Sequence, residues 1–383
     1  MARALYIHWP FCLSKCPYCD FNSHVRDNVD MAHWEQALLA DMAQEAAFAG
    51  GQPLQSVFFG GGTPSLMPPL LVDRLLREAE RLWGFDPGIE ITLEANPSSV
   101  EADKFAALAA AGINRVSLGL QAMDDETLRF LGRLHSAAEG LAAVETAQSC
   151  FERVSFDLIY ARPGQRPADW HAELARAIAI GTTHLSLYQL TIEPGTRFAT
   201  LVREGQFKPL DADRAADLFE LTQALTESAN LPAYEISNHA RPGQESSHNL
   251  AYWRYQDYAG IGPGAHGRRS GMATTRHRKP ENWMAAIEAQ GHGLSEERAL
   301  PANEQAAEAI LMGLRLAEGI DLEELAGRFA LDQTALADGQ KVEFYCKQGL
   351  LWSDGSRIGA TGKGMPLLDG LLAEIVPQSL VSA

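Results

Sequence analysis

The chain has 383 residues, which at roughly 150 residues per domain leaves room for two or three domains and a large buried core. Hydrophobic residues at 46% and charged residues at 21% exclude wholesale disorder. Lys+Arg 32 against Asp+Glu 49 leaves −17, which repels nucleic acid and anionic lipid at long range, so no nucleic-acid partner is expected. In chain order, β-branched or aromatic runs at 5–8, 56–59, 89–94, 115–120, 154–160 and 184–189 each predict a buried strand. Between them, Ala/Leu/Glu/Arg segments with helical apolar spacing predict helices at 31–49, 68–83, 98–111, 124–131, 137–149 and 168–180. Six strand–helix alternations imply βαβ units, hence an α/β fold with a parallel sheet covered on both faces.

A seventh run, 234–237, is read as extending that sheet. From about 240 to 301 the pattern weakens into Gly, His, Arg and aromatic residues, which reads as a connecting, functional segment. From 303 onward helices are expected at 303–317, 321–329 and about 334–348. A hairpin about Ser353-Asp354-Gly355-Ser356 follows, so this module resembles a winged helix. Its 6 Lys+Arg against 12 Asp+Glu disfavour DNA binding. No stretch approaches 18 consecutive apolar residues, so no membrane span is predicted. The first residues lack the apolar core of a signal peptide, and a cytoplasmic location is expected.

The strands end in turns rich in Gly, Pro and polar residues, where parallel α/β folds gather their ligands. One of them holds Cys12-Leu13-Ser14-Lys15-Cys16-Pro17-Tyr18-Cys19, three of the chain's five cysteines. An odd count in a reducing compartment argues against a disulfide framework. A structural zinc site wants a fourth Cys or His, and this spacing is not a usual one for zinc. Three thiolates can instead hold a [4Fe–4S] cluster with one iron left open. Cys150 and Cys346 stand alone and read as core residues.

CX3CX2C after a first strand, with Tyr18 directly before the third cysteine, resembles the radical S-adenosylmethionine (SAM) superfamily, whose fold is a partial (β/α)6 barrel. The resemblance implies that Cys12, Cys16 and Cys19 bind the cluster, and that SAM chelates the open iron and can be cleaved to a deoxyadenosyl radical. Gly60-Gly61-Gly62-Thr63-Pro64 is similar to the glycine motif of the coproporphyrinogen-dehydrogenase-like branch, whose backbone groups hold the SAM amino group. In the same branch Glu94 and Arg133 would pair with the methionine ammonium and carboxylate, a sensible charge-assisted arrangement. Gln121 and Asp157 would bond the ribose hydroxyls, and Tyr6 lies on the first strand. One departure is Ala161-Arg162 after Asp157-Leu158-Ile159-Tyr160, where the branch usually shows Gly-Leu.

Two other motifs are set aside. Gly262-Pro263-Gly264-Ala265-His266-Gly267 satisfies GxGxxG but follows no strand and opens no helix, and Arg357 stands where a P-loop before Gly362-Lys363 needs Gly. Within the branch, decarboxylating dehydrogenases carry a fourth cysteine two residues after the third, where this chain has Phe21. Cys19-Asp20-Phe21-Asn22-Ser23 and His248-Asn249-Leu250-Ala251-Tyr252-Trp253 instead resemble the HemW family of heme chaperones, whose mark is HNxxYW.

That resemblance implies heme as a ligand, with His248 the favoured contact, and respiratory-chain heme proteins as clients; a homodimer is compatible with it. Imidazole can ligate heme iron and aromatics pack on the macrocycle, although a lone loop histidine is more often structural. The basic run Arg268, Arg269, Arg276, His277, Arg278 and Lys279 is read as attracting heme propionates or an acidic client. The expected division is 1–240 for the barrel, 241–302 for the connecting segment and 303–383 for the helical module. No residue is given a catalytic role. A porphyrinogen dehydrogenase or another radical SAM enzyme acting on a tetrapyrrole, and a purely structural cluster protein, remain alternative readings.

Overall fold

The structure, a computed structural model, describes residues 2–26, 28–49 and 51–381. The six predicted runs become β1 (Ala4–Trp9), β2 (Leu54–Gly61), β3 (Phe85–Ala95), β4 (Arg115–Gln121), β5 (Arg153–Tyr160) and β6 (His184–Gln189). Each pairs parallel with the next in chain order. Because strand side chains alternate faces, each strand sorts its residues by parity. Leu5, Ile7, Val57, Phe59, Leu93, Val116, Leu118, Phe156, Leu158, Leu185 and Leu187 join one apolar core. That core also takes residues of α1 (Met31–Ala49), α2 (Pro69–Trp83), α3 (Ala137–Cys150) and α4 (Pro167–Ala179).

The opposite parity carries Tyr6, His8, Glu94, Ser117, Gln121, Asp157 and Ser186. This face is polar, with Ser117 and Ser155 hydroxyls 2.9 Å apart and Arg115 within 3.2 Å of Ser155. The helices between the strands cover the outer face, while the inner face, where sequence predicted full cover, is covered by a helix only toward the amino ends of the strands, at Ser56 and Phe58. The inner face curls around a cavity, the α/β partial barrel.

Further strands widen the sheet to eleven. At one edge β7 (Asn238–Ala240) runs antiparallel on β6. The predicted strand at 234–237 is a turn, because the Glu235 carboxylate accepts the Ser237 backbone N–H and the Asn238 side-chain amide. At the other edge β8 (Tyr258–Ile261) lies parallel on β1. It is followed by antiparallel β9 (His266–Arg269), β10 (Met272–Arg276) and β11 (Leu294–Ala299). The weakly patterned segment thus builds four strands, together with α5 (Ser247–Trp253) and α6 (Pro280–Gln290).

The buried face of that extension is held by charge. Arg276 Nε donates to Asp41 at 2.7 Å and its guanidinium to Glu45 at 3.0 Å, while Arg269 also bonds Glu45 at 3.0 Å. Both carboxylates come from α1.

A second apolar core gathers Tyr255, Ile310, Leu325, Phe329, Ile358, Leu372 and Ile375. It belongs to α7 (Ala302–Gly313), α8 (Leu322–Phe329), α9 (Gly339–Lys347) and α10 (Leu368–Ile375). A small sheet of β12 (Ile320–Asp321), β13 (Leu351–Asp354) and β14 (Arg357–Ala360) completes the module, and its last two strands are the predicted hairpin. The third predicted helix is interrupted, since Asp338 caps a fresh start by accepting the Gln340 and Lys341 backbone N–H groups. Predicted helix 98–111 likewise divides into Ser99–Ala102 and Phe105–Ala110. Its first turn is pinned by Glu101, which accepts from the Ser65 hydroxyl and the Asn96 backbone.

Candidate functional site

The parallel strands end at a cavity of about 910 Å³. Cys12, Cys16 and Cys19 all line it, each a free, half-buried thiol. Their loop is held from below by the first strand. The Asn22 carbonyl lies 2.9 Å from His8 Nε2, and a carbonyl only accepts, so His8 carries its proton there. Its Nδ1 is then free to accept from the Tyr6 hydroxyl at 3.0 Å. Burial pushes the His8 pKa down to about 4, which keeps the ring neutral for this role.

From the other side, the Asn22 side-chain amide donates to the Pro263 and Arg278 carbonyls, both at 2.8 Å. Gly264 has φ +80, and a Cβ there would stand 2.4 Å from Asn22. The GxGxxG-like segment does follow a strand, β8, against the sequence reading, but it leads into β9 and not into a helix, so it holds no dinucleotide fingerprint and instead docks the cysteine loop. Tyr6 does not line the cavity and supports the loop through His8. Sequence noted His8 only as a histidine near the cysteines, and Asn22 and Asn96 only inside motifs, and gave none of the three a supporting role; the parity of His8 with Tyr6 on one strand face was the available signal.

A hydrogen-bond relay ties two thiols to the strand ends. Arg133 donates to Cys16 Sγ at 3.4 Å, to the Gly119 carbonyl at 2.9 Å and to Asn96 Oδ1 at 2.5 Å. Asn96 donates to Thr63 Oγ1 at 3.2 Å, and Thr63 donates to Cys12 Sγ at 3.4 Å. Burial raises the pKa values of the Cys12 and Cys19 thiols, so a cationic centre is what would draw them to thiolates.

The remaining lining residues match the polar ends of an amino-acid-bearing nucleoside. Glu94 Oε2 accepts the Gly61 backbone N–H at 3.2 Å, and Gly61 sits at φ +115, where a Cβ would meet the His8 ring at 2.6 Å. Glu94 has no ion-pair partner among the described residues. Burial, then the nearby Asp157 charge, pushes its pKa up to about 8. Asp157, accepting from Ser117 at 3.2 Å, is raised by burial to about 6. Gln121 takes φ +71 at a register shift of β4, and its Oε1 is buried with no partner; Arg133 Nε is likewise orphaned. Tyr18, Gly62 and Thr63 also face this space.

The donor set therefore fits the groups expected of it. Three free thiols stand on one loop beside an unpaired carboxyl, a guanidinium and an unsatisfied amide oxygen. Buried polar atoms left unsatisfied are costly, and a bound ligand is their natural partner. Among the described residues no three His, Cys, Asp or Glu side chains converge as a single-ion site.

His248 lines neither this cavity nor the smaller groove described below. Its ring stacks on Phe58 at 4.8 Å, with Nδ1 3.3 Å from Ser56 Oγ, near the amino ends of the strands. Burial lowers its pKa to about 4. Asn249 donates to the Tyr234 hydroxyl at 3.2 Å, while Tyr252 and Trp253 turn outward. The basic run also divides. Arg276 and Arg269 are consumed by the pairs with Asp41 and Glu45, and Arg268 is buried over the Tyr255 ring at 3.4 Å. These three arginines are not a free cationic patch.

Comparisons with known proteins agree with this architecture. Residues 6–177 match the radical SAM superfamily and residues 300–367 the HemN C-terminal domain. The solved coproporphyrinogen III oxidase HemN of Escherichia coli, a radical SAM enzyme, superposes with a TM-score of 0.82 at 22% identity, over 97% of this chain and 89% of that one, which shows the shared fold. Mouse radical S-adenosyl methionine domain-containing protein 1, mitochondrial, is 37% identical over 98% of this chain and 87% of its own length. The heme chaperones HemW of Haemophilus influenzae and Escherichia coli are 36% and 39% identical, covering 96% and 82% of this chain and 96% and 83% of theirs. The chain belongs to the radical SAM superfamily and, within it, to the HemW family. Membership implies a [4Fe–4S] cluster and SAM. Among the described residues no helix is long and apolar enough to cross a membrane.

Proposed function

We propose that this protein is a heme chaperone carrying a [4Fe–4S] cluster on Cys12, Cys16 and Cys19, SAM in the adjoining cavity, and heme as cargo for respiratory heme proteins. The observation that carries the cofactor half is the convergence of three free thiols with Glu94, Arg133 and Gln121 on one cavity. When bound, the cluster supplies an open iron for the amino and carboxylate groups of SAM and an electron for its cleavage. Glu94 offers the ammonium a carboxyl, Arg133 offers the carboxylate a guanidinium, and Gln121 and Asp157 offer acceptors to ribose hydroxyls. The heme half is supported by relatives that match nearly the whole chain and are named heme chaperones. Phe21, 61% exposed where the dehydrogenases have a further cysteine, supports the chaperone over a porphyrinogen decarboxylase.

The test is anaerobic reconstitution followed by incubation with SAM, reductant and either coproporphyrinogen III or heme. Stable heme binding without porphyrinogen turnover is the expected result. Conversion of coproporphyrinogen, or failure to retain heme, overturns the reading.

A further inference from the structure

The outward half of the HNxxYW segment faces a second, shallower groove of about 420 Å³. Its floor is the β9–β10 hairpin, where His266 lies opposite Thr275 and Arg268 opposite Ala273. Its walls are Tyr252 and Trp253 from α5 and Leu311 and Met312 from α7. Tyr252 and Leu311 are 39% and 42% exposed, so the groove offers apolar surface to something flat.

Two polar groups in this groove keep hydrogen-bonding capacity that the fold does not use. His266 is exposed and makes no side-chain hydrogen bond among the described residues. Arg315 lies 5.2 Å over the Trp253 ring with Nε buried and unsatisfied; the Glu235 carboxylate feels its charge, but no salt bridge within 4.0 Å engages it among the described residues. It lines this groove and the main cavity alike. The one carboxylate in the groove, Glu308, is already engaged by the Tyr255 hydroxyl.

A free imidazole, an aromatic and aliphatic cleft and an unpaired guanidinium are the three parts needed by a flat iron macrocycle with carboxylate side chains. Resting on the heme-chaperone reading above, we propose that this groove is where heme is held, with His266 ligating the iron and Arg315 pairing with a propionate. His248, stacked beneath the barrel, then acts on heme only by shaping α5.

The test titrates ferric heme, metal-free protoporphyrin IX and heme dimethyl ester into the full-length chain. His266→Ala is expected to weaken ferric heme at least tenfold and shift its Soret band, with free imidazole restoring the band. The same variant changes protoporphyrin affinity little, because no iron is there to ligate. Arg315→Gln is expected to weaken heme and protoporphyrin several-fold alike and to leave the ester unaffected. His266 is exposed, so its loss does not threaten folding, and His266→Phe gives a second, bulkier variant with the same expected loss of ligation. A wild-type chain that binds no heme overturns the chaperone reading itself. Heme binding with an unchanged spectrum and affinity in both His266 variants overturns this site alone, as does loss of the Soret band in a folded His248→Ala chain.

Discussion

At Glu94 the cavity opposes two forces: burial favours the neutral acid, and a bound ammonium favours the carboxylate. With a pKa of about 8 the group is mostly protonated at pH 7 in the cofactor-free chain. Between the ordinary value, 4.5, and 8 the folded chain therefore holds a proton that the unfolded chain does not, so this residue's contribution to stability falls as pH rises through that window. Binding of SAM should expel the proton, and affinity should rise between pH 6 and 7.5 by at most about tenfold per unit. Calorimetry in buffers of different ionisation heat reads the release, and Glu94→Gln should abolish it. An unchanged proton count in that variant would remove Glu94 from the ammonium site.

Asn22 makes a second residue-scale prediction. Its side-chain amide holds the cysteine loop through two bonds of 2.8 Å, so Asn22→Ala should cost about 1–3 kcal/mol of local order. Iron release to a chelator should quicken while far-ultraviolet circular dichroism stays the same. Release at the wild-type rate would show that the loop is held elsewhere. The three cysteines were legible because their spacing is local and chemically narrow. Asn22's work was not, because it consists of bonds to residues 263 and 278, distances in sequence that no window spans, and that of His8, a bond to the Asn22 carbonyl, follows no periodic pattern.

The same contrast runs through the elements. β1 to β6 could be read because their outward parity is apolar and meets helices. β9 and β10 could not: their buried side chains toward α1 include Arg269 and Arg276, so an interior strand looks like a charged loop. Asp41, fully buried, accepts from Arg276, from the Gly262 and Gly293 backbones and from Trp283. Removing one partner of such a network leaves an uncompensated buried charge. Arg276→Met should therefore cost about 3–5 kcal/mol in urea unfolding. The exposed neighbour substitution Lys279→Gln should change the midpoint little, as surface substitutions do. A cost under about 1 kcal/mol for Arg276→Met would mean that Asp41 finds its charge balance without the hairpin.

For the molecule as a whole, the question is how a cavity opening at the strand ends is shielded from solvent and oxygen. Part of the answer lies in the second core, because Met365, Leu368 and Asp369 reach from the C-terminal module to the cavity wall. Leu368 opens α10, and Ile375, fully buried, closes it; the Ile375 carbonyl also accepts the Asp338 backbone N–H at 2.8 Å. Ile375→Ala removes buried methylenes from that core alone and should cost about 2–5 kcal/mol there. Since the two cores are separate apolar clusters, the loss should appear as local opening rather than uniform weakening. Hydrogen exchange should quicken across residues 320–376 while β1 to β5 keep their protection. The reconstituted cluster should then bleach faster in air. If exchange rises equally on the barrel strands, the chain unfolds as one cooperative unit. If exchange is local but bleaching is unchanged, the module does not shield the cysteine loop, and its contribution to the cavity is confined to holding residues such as Arg315 against the bound molecule.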